Sequence, residues 1–161
     1  VVSPDWRFVA SRPAHFVAFG FGAGLSPFAP GTVGTLIGYP LFVLLHALFP
    51  TIAGVVVLGI LFALGCHWCE VTGRAIGVAD HRGIVWDEIV AMAAILFFVP
   101  ATVTAWIAAF FAFRLFDVWK PWPIRIVDER LKSGLGVMLD DALAAIPAIV
   151  VVRVGAELVT K

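Results

Sequence analysis

The stretch Ile89–Phe113, IVAMAAILFFVPATVTAWIAAFFAF, decides how this chain can fold: it runs for 25 residues without a charge and is interrupted once, at Pro100. One spanning helix needs about 20 apolar residues and two need about 40, so the stretch is either a long kinked span or a hairpin of two short helices bent at Pro100. A re-entrant pair is physically open, because backbone groups freed at the bend can be satisfied by neighbouring helices rather than lipid. The flanks discriminate between the two. Asp87 and Glu88 stand immediately before the stretch, and Arg114 and Asp117 immediately after it. A single span would hold them about 30 Å apart on opposite faces. A bend at Pro100 sets both groups on one face, so the hairpin is expected if these charges cooperate.

Beyond the stretch, polar chemistry is concentrated. Residues 113–141, FRLFDVWKPWPIRIVDERLKSGLGVMLDD, hold Asp117, Asp128, Glu129, Asp140 and Asp141, five of the eleven carboxylates, together with Arg114, Lys120, Arg125, Arg130 and Lys132. Several carboxylates suit a hard cation such as Mg²⁺, and Arg or Lys beside them suits a phosphate that the cation also touches. The turn Ser133-Gly134-Leu135-Gly136 offers backbone N–H groups to an anion. Lys120-Pro121-Trp122-Pro123 makes a rigid turn, with Trp119 and Trp122 suited to a membrane interface.

Each group also has a plainer account. Asp87 and Glu88 fit a helix start as caps or dipole partners, and one of Asp140 and Asp141 fits the cap of a last helix over 142–159. Arg114 and Asp117 have the spacing of a helix-surface ion pair. Asp128-Glu129-Arg130 reads equally as solvated charge. A cap explains one carboxylate, not four.

The 161 residues read as one domain, 61% hydrophobic and 14% charged, with a mean hydropathy of +1.02. That is the composition of an integral membrane protein. Net charge is zero, which leaves no bulk attraction to nucleic acid. Cys66 and Cys69 lack the βαβ context of a redox motif and read as ordinary helix cysteines. No basic segment followed by an apolar stretch and cleavage site opens the sequence, so insertion is expected to rely on internal helices.

Taken in order, residues 1–15 carry Arg7 and Arg12 among Trp6 and Phe8 and suit a surface-lying segment. The run from Gly20 to Thr35 holds two prolines and five glycines. It is either a turn with Gly-lined close packing or a phosphate-contacting loop with Thr32 and Thr35 at a helix N-terminus. Two apolar helices are expected over 33–49 and 52–68, joined tightly at Pro50, with His46 interfacial near that turn. Glu70 to Glu88 is polar enough to leave the hydrocarbon, and Glu70 with Arg74 reads as a surface ion pair. The hairpin topology puts Arg7, Arg12, Arg74, Arg82, Lys120, Arg125, Arg130 and Lys132 on one face, as the positive-inside rule requires of a cytoplasmic one.

Four motifs in this order resemble the phosphatidylglycerophosphatase A family over nearly the whole length: Ser26-Pro27-Phe28-Ala29-Pro30-Gly31-Thr32-Val33-Gly34-Thr35-Leu36, Ile84-Val85-Trp86-Asp87-Glu88-Ile89, Phe113 to Asp117 continuing through Lys120-Pro121-Trp122-Pro123-Ile124, and Gly134 to Asp141. The resemblance implies an all-α bundle in the bacterial inner membrane, with its catalytic face toward the cytoplasm. It also implies a Mg²⁺-dependent phosphatase that removes the terminal phosphate of phosphatidylglycerophosphate to leave phosphatidylglycerol. Asp87, Glu88, Asp117, Asp140 and Asp141 are then the catalytic carboxylates, with Asp87, Glu88, Asp117 and Asp141 as metal ligands. Thr32, Thr35, Arg114, Lys120, Gly134 and Gly136 are the expected substrate contacts. Attack by a metal-activated water and attack by an Asp through an acyl-phosphate both satisfy this pattern. Similar proteins carry Gly where Ser133 stands, and a positive φ there would disfavour Ser. A transporter subunit would instead place charges inside its apolar segments, and a structural membrane subunit would need no metal.

Overall fold

The computed structural model describes residues 3–159; residues 1–2 of the expected surface segment, and 160–161, lie outside the described residues. Every regular element among the described residues is helical. They are α1 (Trp6–Ala10), α2 (Pro13–Ala18), a 3₁₀ turn (Gly20–Leu25), α3 (Pro30–Leu48), α4 (Thr51–Ile76), α5 (Trp86–Phe98), α6 (Val103–Trp119), α7 (Ile124–Arg130) and α8 (Gly134–Val159). Three of them, α3, α4 and α8, are long and apolar enough to cross a membrane.

Local chemistry sets the boundaries. Asp5 accepts the Phe8 N–H at 2.8 Å and caps α1. Extended Phe49 and then Pro50 separate α3 from α4, and α4 stops at Gly77, whose φ of 87° favours glycine. Two helices differ from expectation. α4 continues through the Cys66–Cys69 run to Ile76, because Glu70 and Arg74 pair on its surface at 2.7 Å instead of breaking it. α8 starts at Gly134 rather than near 142, so Asp140 and Asp141 lie in its second turn and cap nothing. Ser133 is the cap: its hydroxyl accepts the Gly136 N–H at 3.3 Å. Ser133 is not among the described residues with positive φ, so the backbone there tolerates a side chain.

α5 is the core. Trp86, Ile89, Val90, Met92, Ala93 and Ile95 are all buried, enclosed by α3, α4, α6 and α8. α3 runs beside it in the same direction, and small residues let the two backbones close up. A Cβ on Gly34 would stand 2.8 Å from the Val85 Cβ, and one on Gly38 would stand 2.6 Å from that of Met92. Large apolar side chains point the other way: Leu36 and Val43 on α3, Val56 and Ile60 on α4, Ile107 and Phe111 on α6, Val150 and Val154 on α8 are exposed. That distribution is what a lipid-facing surface requires.

The uncharged stretch is a hairpin. α5 ends at Phe98, Pro100 lies in the break, and the Thr102 hydroxyl starts α6 by accepting the Ala105 N–H at 3.2 Å. Arg114 Nη1 comes within 3.6 Å of Glu88 Oε1, so the far end of α6 returns to the beginning of α5. α5 has 13 residues, or about 20 Å at 1.5 Å per residue, short of a hydrocarbon core about 30 Å thick. Its tip nonetheless reaches the level of Phe42 and His46, whose rings meet Phe97 at 4.9 and 6.2 Å.

The hairpin makes a topological prediction. Arg82 and Ile126 are exposed and flank it. In a chain lacking Cys66 and Cys69, single cysteines at 82 and 126 are expected to react with a membrane-impermeant thiol reagent from the same side of sealed vesicles. Reaction from opposite sides would overturn the arrangement.

Candidate active site

The first turn of α5 meets the second turn of α8. Adjacent residues on a helix diverge by about 100°, which is small enough for two neighbours to border one site. Asp87 and Glu88 do so: each offers a carboxylate oxygen that lies, with one from Asp141, in a group whose members are all within 4.8 Å of one another. Asp87 is 7% exposed and Asp141 3%. Asp87 Oδ1, Glu88 Oε2 and Asp141 Oδ2 are buried with no hydrogen-bond partner. Orphaned carboxylate oxygens this close repel one another and lack the donors that buried acceptors ordinarily have. A small hard cation taking oxygen ligands fits that donor set and removes both penalties.

α6 supplies the neighbouring charges. Arg114 sits between Glu88, at 3.6 Å, and Asp117, at 2.5 Å, and the Asp117 carboxylate is near enough to interact with both Glu88 and Asp141. The Arg114–Asp117 pair is therefore no solvated surface bridge: the two side chains are 20% and 12% exposed. α3 closes the site from above. A side chain on Gly31 would collide with Glu88 Oε1 and stand 3.2 Å from Arg114 Nη1. Pro30-Gly31 thus lets the N-terminus of α3 lie directly on the charged cluster.

Asp140 does something else. It stays outside the carboxylate group: its Oδ1 accepts the Asp141 N–H at 3.0 Å and its Oδ2 holds Lys120 Nζ at 2.5 Å, while Asp128 holds the same nitrogen at 2.9 Å. Burial works against the Lys120 charge, but Asp140 and Asp128 overcome it and hold its pKa above the ordinary lysine range. The clamp joins the end of α6, where Lys120 is left-handed at φ 46°, to α7 and α8. Glu129, by contrast, pairs with Arg125 on the open surface at 2.7 Å.

The remaining expected contacts occupy the rims. Thr32 lies in the first turn of α3. Thr35 is fully buried, its hydroxyl donating to the Gly31 carbonyl at 2.9 Å. The Gly134 N–H donates to Glu70 Oε2 at 2.5 Å and the Gly136 N–H to Ser133. A Cβ at Gly134 would collide with the Cys66 carbonyl, so this turn presses α8 against α4. Cys69 is buried with its sulfur 3.9 Å from Met138 Sδ, and neither cysteine joins the carboxylate group.

Sequence reasoning missed two partners. Glu70 was read only with Arg74, although it also holds the start of α8; the contact joins residues 64 apart and leaves no local spacing signal. Asp128 reads in the sequence equally as solvated charge, and the signal of its role is its eight-residue distance from Lys120 across a Pro-fixed turn.

Removing the lysine should expose the cost of the clamp. Lys120→Met leaves Asp140 buried without its donor, a loss on the order of 2 kcal/mol. Thermal unfolding in detergent is expected to show this, with part of the loss recovered in the Lys120→Met, Asp140→Asn double variant. Equal stability of wild type and Lys120→Met would deny the clamp.

Residues 16–156 match the sequence profile of the family described as phosphatidylglycerophosphatase A. A Haemophilus influenzae protein named phosphatidylglycerophosphatase A is 47% identical over 142 residues, which cover 88% of this chain and 87% of that protein. An Escherichia coli protein of the same name is 43% identical over 142 residues, covering 87% and 81% respectively. A Bacteroides thetaiotaomicron protein, provisionally named a phosphatidylinositol-3-phosphatase, is 36% identical over 145 residues, covering 86% and 90%. No solved structure matches the chain. On the extent of these matches, the chain belongs to the phosphatidylglycerophosphatase A family, a family of phosphoric monoester hydrolases that act on lipid.

Proposed function

We propose that this chain hydrolyses the terminal phosphate of phosphatidylglycerophosphate, with Mg²⁺ as cofactor, to give phosphatidylglycerol and phosphate. The observation that carries the reading is the group formed by Asp87, Glu88 and Asp141, with three orphaned oxygens beside Arg114. Asp87, Glu88 and Asp141 hold the cation, with Asp117 bordering them. Bound there, Mg²⁺ supplies neutralisation of phosphate charge and activation of a nucleophile.

The chain's own residues do the rest. Arg114, fixed between Glu88 and Asp117, is aimed to bind phosphate oxygens, and its planar fork suits two of them at once. Lys120 offers a second positive charge at the rim, with Asp140 and Asp128 setting its position. Thr32 and the N-terminus of α3 present donors from the opposite side. Thr35, Gly134 and Gly136 act by holding α3 and α8 in place. The carboxylates lie where helices meet the polar loops, so a lipid phosphate reaches them without leaving the interface. Arg74, Arg82, Lys120, Arg125, Arg130 and Lys132 share that end of the bundle, which supports the inner membrane and a cytoplasmic catalytic face.

Phosphate release by the purified full chain from phosphatidylglycerophosphate in mixed micelles tests the reading. Activity is expected to vanish with chelator and return with Mg²⁺; full activity in metal-free buffer would remove the metal, and no release under any condition would remove the substrate. Asp87→Asn, Glu88→Gln, Asp117→Asn and Asp141→Asn are each expected to lower the rate about 100-fold or more while the chain stays folded. Four variants near the wild-type rate would place the chemistry elsewhere.

A further inference from the structure

Between α4, α5 and α8 lies a cavity of about 330 Å³ that begins at Asp87 and continues along the bundle as an almost wholly apolar groove. Its walls set small residues, Gly59 on α4, Ala91 and Ala94 on α5, Ala142 and Ala145 on α8, among larger apolar side chains such as Phe62. It follows α5 from Asp87 to Phe98, three turns of helix. That is about 16 Å at 1.5 Å per residue, the depth of one leaflet of a core about 30 Å thick. That length suits a lipid tail lying parallel to its neighbours in the bilayer.

We propose that this groove seats one acyl chain of the lipid substrate, so that the headgroup phosphate is delivered to the carboxylate cluster at the groove's upper end. The inference rests on the lipid phosphatase reading above and adds where the lipid lies. Continuity with the site is the main ground. Asp87 lines the groove and also belongs to the carboxylate group, and its Oδ1 is buried without a partner. A chain in this groove has its ester end beside the site.

Gly59 is the second ground. The other glycines that face a neighbouring helix are closed by it, as Gly34 is by Val85 and Gly38 by Met92, whereas a Cβ on Gly59 would meet nothing within 4 Å. Glycine inside a helix is unfavourable by about 1 kcal/mol relative to alanine. Packing between helices does not account for it at 59, and its place in the groove wall leaves room for a ligand there. Gly155 is equally open, but it lies outside the groove and so provides a control.

The test compares kcat/KM for dioleoyl phosphatidylglycerophosphate with that for its water-soluble dibutanoyl analogue. Gly59→Leu adds bulk to the groove wall at a position whose Cβ meets no protein atom and is expected to lower the long-chain to short-chain ratio about tenfold or more. Gly155→Leu is expected to keep the wild-type ratio. An unchanged ratio in Gly59→Leu, or an equal fall on both substrates, would overturn the groove. Absence of phosphate release by wild type from either substrate would instead overturn the reading on which it rests. Independently of turnover, a phosphatidylglycerophosphate carrying a diazirine in one acyl chain is expected to crosslink to α4, α5 and α8 between residues 55 and 149. Crosslinks confined to the outer faces of α3 and α6 would refute the assignment.

Discussion

Burying Asp87, Glu88 and Asp141 in one cluster is the constraint on which the structure turns. Two like charges 4.8 Å apart repel by roughly 3 kcal/mol at an effective dielectric constant of about 20, and three such pairs meet here. No local preference brings these residues together; the first turn of α5 and the second turn of α8 must be pressed into contact by everything around them. Arg114 offsets part of the repulsion, since it faces both Glu88 and Asp117. Its position depends on α6 returning to the start of α5, and therefore on the break at Pro100. The hairpin and the charge cluster are in this sense linked, because the return of α6 is what brings Arg114 to Glu88.

The cluster also needs rigid walls, and the sequence supplies them with small residues rather than large ones. Gly31, Gly34 and Gly38 bring the α3 backbone against α5, and Gly134 brings α8 against α4. In lipid the apolar effect does not drive helices together, so close van der Waals packing and interhelical hydrogen bonds must do it. The Tyr39 hydroxyl donating to the Trp106 carbonyl at 2.7 Å, and the Gly134 N–H donating to Glu70, are two such ties.

Much of this was legible in the residues. The 25 uncharged positions with a single proline, read beside Asp87-Glu88 and Arg114–Asp117, favour a hairpin over a kinked span once the charges are taken to cooperate. What was not legible is direction. Asp140 and Asp141 look equivalent as letters, yet Asp141 joins the cluster while Asp140 turns to Lys120, because a 100° step on α8 separates them. The start of α8 was misplaced because Gly134 and Gly136 suggest a turn by propensity, whereas the Ser133 cap and Glu70, 64 residues away, begin a helix there. Tertiary contacts overrode a local signal.

Glycine makes the same lesson physical. Among the glycines of α3 and α4, Gly34, Gly38 and Gly59 are alike in sequence, each inside an apolar helix. At Gly34 and Gly38 the missing side chain is replaced by the atoms of α5, and the cost of an unfavourable helix residue is offset by interhelical contact. At Gly59 nothing replaces it. The space left open there borders the groove, where a lipid tail can fill it. Gly59 and Asp87 line the same groove, so the omission that weakens α4 lies along the way from the bilayer to the charged cluster.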